Sequence, residues 1–339
     1  MRISGRVFCS HFPAENAALT RVASPADFAR RPDATYAAPR IVFVLCLVAV
    51  AARLIFIDQP YVDHWSWRQN DVAAIARNFL QNVFRFAYPQ IDWAGNGAGY
   101  VGTEFPILPF IAAVCYKFVG VHEWIGRIQA VILFAVSLPF FFLLVREVFG
   151  STAAVWASFF YCFTPINVFA GRSFMPDVPS LSFAIVGLYF FLCWIQNGES
   201  SSFFVAAIAI SLSLLIKITS IIILAPILYL VVGRLCQTPG VLQKRPTIYG
   251  GALFTAIALV PSAIWYSDAY QIAQKFYPHH FFGAGGVRIE SFSWYWHIAH
   301  RLWYPVSRRF SQSSRSSVCL SRSRGIEGAL VFFIGGWLP

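Results

Sequence analysis

At 339 residues, 58% hydrophobic and only 12% charged, the chain falls outside the ordinary soluble domains, where roughly a quarter of residues carry charge. Its net charge of +11 comes from scattered and partly loop-confined basic residues. It therefore reads as positive-inside bias and contact with anionic lipid, and no nucleic-acid partner is expected. The seven cysteines give neither a disulfide framework nor metal-ligand spacing, and Cys46, Cys115, Cys162 and Cys193 sit inside apolar runs as small hydrophobes.

Residues 1–40 carry six Arg against Glu15, Asp27 and Asp33, which predicts a disordered cytoplasmic tail. The first apolar run, 41–57, follows Arg40 and reads as an uncleaved signal anchor. Further continuous runs cover 105–121, 124–145, 152–170, 178–195, 203–216, 219–233 and 249–267. A hydrocarbon core about 30 Å thick needs about 20 apolar residues per helix, and lipid offers no water to free backbone groups. The expected fold is an all-α integral-membrane, multi-span helical bundle.

Between the first two runs lies a loop, 58–104, dense in polar groups. Within it Val72, Ile75, Ala76, Phe79, Leu80 and Val83 recur at helical spacing, predicting an amphipathic surface helix over about 65–84. Trp65 and Trp67 would sit at headgroup depth, and Asp71 would look sideways from the stripe's edge. The turn Ala94–Gly99 closes the loop.

A cytoplasmic loop around Arg234, Lys244 and Arg245 fixes the parity of the crossings. Counting from it places Asp71, Asp177 and Lys217 on the outer face, yet three apolar runs separate Asp71 from Asp177. The run 105–121, with Pro106, Pro109 and Lys117, is the one expected to be re-entrant.

The bundle is expected over 105–267, with an external aromatic loop over 268–306. His279, His280, His297 and His300 lack a carboxylate or Cys to complete a metal set, and Gly283–Gly286 lacks the context of a phosphate loop. Over Ser307–Arg324, eight of eighteen residues are Ser and five are Arg. This Ser/Arg-rich segment, 307–327, reads as a basic linker or as a reading-frame slip. The apolar run 328–339 after it reads as a truncated span of a longer protein.

Ionisable groups at membrane depth cost roughly 2.5–3.5 kcal/mol each, so their gathering on one face needs a reason. Asp63, Arg68, Asp71 and Glu104 come from the first loop, Arg172 and Asp177 from the break at 171–179, and Lys217 from the junction at 214–219. Together they describe a pocket of both signs, in which cations grip a phosphate and a carboxylate accepts a proton. Each residue also has a structural reading. Asp71 pairs with Arg68 at i−3, Asp177 caps a helix, Glu104 marks a helix start, and Lys217 and Arg53 snorkel.

Five elements in order carry a resemblance: Trp67–Phe79, Glu104-Phe-Pro106, Gly120–Arg127, Arg172 with Met175-Pro-Asp177, and Leu215-Ile-Lys217-Ile-Thr219. Over about residues 40–270 the chain resembles the polyprenyl-phosphate-dependent glycosyltransferases of the GT-C fold. Within that fold it resembles the bacterial branch of the protein O-mannosyltransferase family (glycosyltransferase family 39-like), which includes the aminoarabinose transferase of lipid A. The resemblance implies a polyprenyl-phosphate-sugar donor and a lipid, glycan or protein hydroxyl as acceptor. It implies inversion with a first-loop Asp as base, on the extracytoplasmic face of the cytoplasmic membrane. It carries Arg68, Glu104, Arg127, Arg172, Asp177 and Lys217 over as substrate-binding residues, with a divalent ion possible at Glu104 and Asp177. Where relatives carry Asp-Glu about seven residues before the Ala-Arg pair, this chain has Gln69-Asn70. The base is therefore open between Asp71, which is favoured, and Asp63. The other functional classes weighed are a transporter or flippase of polyprenyl-linked sugars, disfavoured because no internal repeat is visible, and a non-catalytic subunit of an envelope complex.

Overall fold

The computed structural model describes residues 38–63, 65–82, 84–237 and 245–281, together with Ser291, Ser293, Trp294, Trp296, His297 and His300. The expectations placed on the N-terminal tail, on Gly283–Gly286 and on everything beyond 300 fall outside these residues.

The described residues up to 281 form a bundle of helices: α1 Ala38–Leu54, α2 Ser66–Gln81, α3 Ile107–Val119, α4 Glu123–Phe149, α5 Ser151–Phe163, α6 Pro165–Ala170, α7 Asp177–Asn197, α8 Ser200–Ile216, α9 Leu224–Gln237 and α10 Arg245–Lys275. No strand occurs among the described residues beyond isolated bridges such as Gln90 with Tyr100. Three of the helical stretches, Glu123–Phe149, Asp177–Asn197 and Tyr249–Lys275, are long and apolar enough to cross a membrane. With α1 showing Ile41, Phe43, Val44, Leu47 and Val48 on its exposed side, this is a multi-pass membrane protein. The expected re-entrant run holds only the 13-residue α3, about 20 Å at 1.5 Å per residue, shorter than the hydrocarbon core.

Three helix boundaries differ from the sequence reading. The run 152–170 is two helices, because Pro165 pushes Thr164 out of helical conformation (φ −58°, ψ 126°). The run 219–233 begins as a 3₁₀ turn over Ile218–Ile223, whose β-branched side chains crowd an α-helical turn. The last helix continues past 267 to Lys275, into the segment expected as loop. Buried Ala269 and Ala273 keep its packed stripe at a four-residue spacing.

Apolar packing falls into neighbouring layers. Val42 and Ala49 of α1 meet Phe134 and Leu138 of α4 and Ala154 and Cys162 of α5. Phe191 of α7, Phe203, Ala206 and Ile210 of α8 and Phe254 of α10 form a second cluster. The surface helix α2 lies over the third, in which Ala76 joins Leu108, Ala112, Tyr116, Ile125 and Phe174. Gly126 makes this layer possible, since a Cβ there would stand 2.3 Å from the Phe174 ring. The α7–α8 contact uses small residues, the usual device where lipid tails remove the hydrophobic drive between helices.

Arg53 does not snorkel. It is fully buried, and its guanidinium donates to the carbonyls of Ala49 at 3.0 Å, Cys162 at 3.1 Å and Asn167 at 3.2 Å. It also lies 3.6 Å above the Phe134 ring centroid. The carbonyls at the end of α5 lack helical partners, and a cation is favoured at a helix C-terminus. Arg53 thereby ties α1 to the α5–α6 break. The guanidinium fits only because residue 171 is glycine: a Cβ there would meet Arg53 Nε at 2.4 Å and the Asn167 carbonyl at 2.7 Å. Gly171→Ala is expected to cost about 1–3 kcal/mol through this overpacking, read as a lowered thermal unfolding midpoint in detergent. An unchanged midpoint would remove Arg53 as the tie.

Candidate active site

The end of the bundle where α7 starts and α8 stops is held by a reciprocal pair. Ser180 Oγ donates to the Ser213 carbonyl at 2.7 Å, and Ser213 Oγ donates to the Ser180 carbonyl at 2.8 Å. Both serines are fully buried, so each must find a partner within the protein. One turn beyond them on each helix stand Asp177 and Lys217, joined as a hydrogen-bonded ion pair. Asp177 opens α7 without a side-chain capping bond, and Lys217 has a partner, so neither the cap nor the snorkelling reading describes them.

Glu104 comes to the same place. Phe105 N–H donates to the Leu215 carbonyl at 3.1 Å, which fastens the end of the first loop to the end of α8. Tyr266 of α10 donates to the same carbonyl at 3.0 Å. Glu104 does not open a helix, since Pro106 precedes α3; its carboxylate takes Arg68 of α2 at 2.7 Å. Burial pushes the Glu104 carboxyl above the usual range, Arg68 and then Lys217 draw it down, and Asp177 raises it again. Two cations and two carboxylates from four segments thus share one electrostatic neighbourhood.

Asp71 lies one turn beyond Arg68 on α2 without pairing to it. Trp93 Nε1 donates to its Oδ1 at 3.3 Å. Burial raises its carboxyl above the ordinary aspartate range, while the Trp93 hydrogen bond, His280 and Arg68 oppose the rise and Asp92 adds to it.

Asp63 has a different environment. Its Oδ1 accepts from buried Gln69 at 2.7 Å and its Oδ2 from Gln59 at 3.2 Å. Arg127 lies 3.8 Å away and Arg172 3.9 Å away. Arg127, 1% exposed, also donates to the carbonyls of Ile57 at 2.9 Å and Pro60 at 3.2 Å and to that of Gln59, while Arg172 donates to Ile55 at 2.9 Å. These two guanidiniums hold the entry of the first loop in place. They and Asp63 form a group separate from the Arg68–Glu104 and Asp177–Lys217 pairs, so the single pocket expected from the sequence is two clusters.

Gln69 links the two. Its amide donates to Asp63, and its Oε1 accepts from Phe174 N–H at 3.2 Å, tying α2 to the turn ahead of Asp177. Sequence reasoning treated Gln69 only as a departure from a motif; a wholly buried amide at the polar edge of an amphipathic helix was the signal it passed over. Trp93 was also missed, and His280, weighed only as part of a metal set, was not placed beside Asp71; no local pattern joins either to it. Among the described residues no group of three or more His, Cys, Asp or Glu is arranged to hold a metal ion. Glu104 and Asp177 each face a cation instead, so these residues do not fit a divalent site.

Among solved structures the chain is similar to ArnT from Cupriavidus metallidurans. The chain superposes on the form bound to undecaprenyl phosphate with a TM-score of 0.54 and 17% identity, over 72% of this chain and 44% of that one. The apo form gives 0.53 and 17% over 76% and 45%. The chain shares the helical membrane fold of ArnT. The family model described as dolichyl-phosphate-mannose-protein mannosyltransferase matches residues 103–265, just under half of the chain. The "Putative mannosyltransferase YkcB" of Bacillus subtilis (strain 168) is 24% identical over 172 residues, 48% of this chain and 24% of that protein. The chain thus spans under half the length of the ArnT structures and about a quarter of YkcB.

Removing Arg68 leaves the buried Glu104 carboxylate without its nearest cation. Arg68→Met is expected to destabilise the protein by about 1–3 kcal/mol, below the full cost of breaking a buried pair because Arg68 is partly exposed. Burial already favours the protonated acid, and losing Arg68 favours it further. The deficit should therefore grow as pH rises through the Glu104 titration and vanish at low pH, where both proteins carry it neutral. Thermal midpoints across pH, with Arg68→Met/Glu104→Gln as the rescuing double variant, check this.

Proposed function

We propose that the chain forms the catalytic bundle of a glycosyltransferase that moves a sugar from a polyprenyl-phosphate donor to a hydroxyl of a lipid, glycan or protein. The reaction would take place on the outer face of the cytoplasmic membrane. The observation that carries this reading is Asp71, a partly buried carboxylate in no ion pair among the described residues, one helical turn from Arg68, whose partner Glu104 also feels Lys217. The undecaprenyl phosphate of the similar ArnT structure supports a lipid phosphate as the leaving group.

In this scheme the acceptor hydroxyl attacks the anomeric carbon from the face opposite the lipid phosphate. The new carbon–oxygen bond forms as the bond to the phosphate oxygen breaks, and the configuration inverts. Asp71 takes the hydroxyl proton. The electron pair leaves with the phosphate, whose added charge Arg68 and Lys217 offset in a poorly hydrated setting. Glu104 and Asp177 hold these two cations in place before the donor arrives. Asp63 is not the base in this scheme, because two guanidiniums and two amides already engage its carboxylate.

Transfer from a labelled polyprenyl-phosphate sugar in proteoliposomes tests this reading. Asp71→Asn is expected to lower kcat by about 10²–10⁴, the usual share of a general base, with the unfolding midpoint preserved. Full activity in that variant would exclude Asp71 as the base. Movement of intact donor between leaflets without transfer would favour a transporter.

The pH profile carries a second test. A base must be ionised, and burial raises Asp71, so the acid limb of kcat/KM should lie above the ordinary aspartate value of about 3.9. Trp93→Phe removes a hydrogen bond to the charged form and is expected to move that limb to higher pH. A limb unmoved by Trp93→Phe would separate the titrating group from Asp71.

A further inference from the structure

A cavity of about 260 Å³ lies on a part of α2 that the proposed chemistry does not use. Asn70, Ala73, Ala74 and Arg77 line it, the i, i+3, i+4, i+7 stripe of one helix face. At about 100° per residue, Asp71 and Arg68 are turned roughly 100° and 160° around the helix from Asn70, and neither lines the cavity. The opposite wall is Tyr116 at the end of α3, with Val121, His122 and Glu123 at the turn into α4; Tyr61 and Asp92 complete the lining.

The groups here are hydrogen-bonding and only partly engaged. The Glu123 carboxylate makes no hydrogen bond or ion pair among the described residues, although its carbonyl accepts from Tyr61 Oη at 2.9 Å. Asn70 donates to the Tyr61 carbonyl at 3.2 Å, and its own side-chain carbonyl makes no hydrogen bond among the described residues. Arg77 and Asp92 form an ion pair whose side chains are 45% and 46% exposed; Asn78 also donates to Asp92 Oδ1 at 2.9 Å, so Arg77 is the partner free to turn to a ligand while Asp92 presents its exposed edge. Ala73 and Ala74 leave an apolar floor, flanked by the Tyr61 and Tyr116 side chains.

Charge selects among ligands. Asp92 and Glu123 outnumber Arg77 when His122 is neutral, so a phosphate is repelled and the lipid-phosphate donor is not the occupant. A polyol fits better, because its hydroxyls donate to carboxylates and accept from Arg or Asn, while ring C–H groups lie on methyl and aromatic carbon. The volume is just under the range of about 300–1,000 Å³ for small-molecule sites, room for one ring. Exposed Phe118, Val119 and Val121 stand beside the α3–α4 turn as a lipid-facing rim.

We infer that the cavity between α2 and the α3–α4 turn is a binding site for a single neutral sugar ring presented at the membrane surface. The site is independent of the transfer reaction, and it stands or falls by binding alone. Saturation-transfer NMR on the protein in nanodiscs, without donor lipid, would use methyl glycosides of mannose, glucose, galactose and arabinose. At least one glycoside is expected to give a saturable signal. Glu123→Gln should weaken that binding by about tenfold, the worth of one charge-assisted hydrogen bond. Ala74→Phe, which fills the floor, should abolish it, and Asp71→Asn should leave it unchanged, with unfolding midpoints confirming that each variant is folded. The inference is overturned if no glycoside binds, or if binding survives both Glu123→Gln and Ala74→Phe. It is equally overturned if ethanolamine or inorganic phosphate displaces the glycoside at matched concentration, since the site would then select charge over hydroxyls.

Discussion

Four atoms at the junction of α7 and α8 hold the candidate site together. The Ser180 and Ser213 hydroxyls and carbonyls exchange hydrogen bonds in a fully buried setting. There the alternative to a partner is an unsatisfied polar group costing about 1–3 kcal/mol. The exchange fixes the register of two antiparallel helices at the point where each gives way to irregular chain. Asp177 and Lys217 follow from that register, because each lies about one helical turn from its serine. Leu215, two residues short of Lys217, then receives the Phe105 amide and the Tyr266 hydroxyl, so Glu104 is brought in by the same junction.

Arginine is used here in two ways. Arg53 and Arg127 are buried and donate mainly to backbone carbonyls, at the end of α5 and along the entry of the first loop. A guanidinium suits this task because it is planar, always charged and carries five donors. These contacts anchor chain that would otherwise carry free carbonyls into a poorly hydrated region. Arg68, by contrast, is partly exposed and holds a single carboxylate. A ligand can displace that partner, whereas the carbonyls around Arg127 are part of the fold.

The surface helix divides the first loop chemically. One face packs Ala76 and Phe79 onto α3 and its neighbours, Arg68 and Asp71 stand to one side, and Asn70 and Arg77 face the polyol cavity. Gln69 joins the helix to Asp63 and to the turn before α7. An acid there would face Asp63 at hydrogen-bond distance and be raised by its charge.

The sequence by itself determined the class of the molecule. Apolar runs of membrane length require helices because lipid cannot satisfy backbone groups. The stripe Val72–Ile75–Phe79 marked α2 because its period is that of the α-helix. It also brought the relevant charges into view, since an ionised group in an apolar chain is costly enough to be informative. Only the tertiary structure decided their partners. Arg68 meets Glu104 across 36 residues and Lys217 meets Asp177 across 40, separations at which local periodicity carries no information. The same holds for the contrast between Asp63, enclosed by Arg127, Arg172, Gln59 and Gln69, and Asp71, which has a tryptophan for a partner. Two aspartates alike in sequence differ in surroundings because the charges, hydrogen bonds and burial around each are set by the folded packing rather than by its neighbours in the chain.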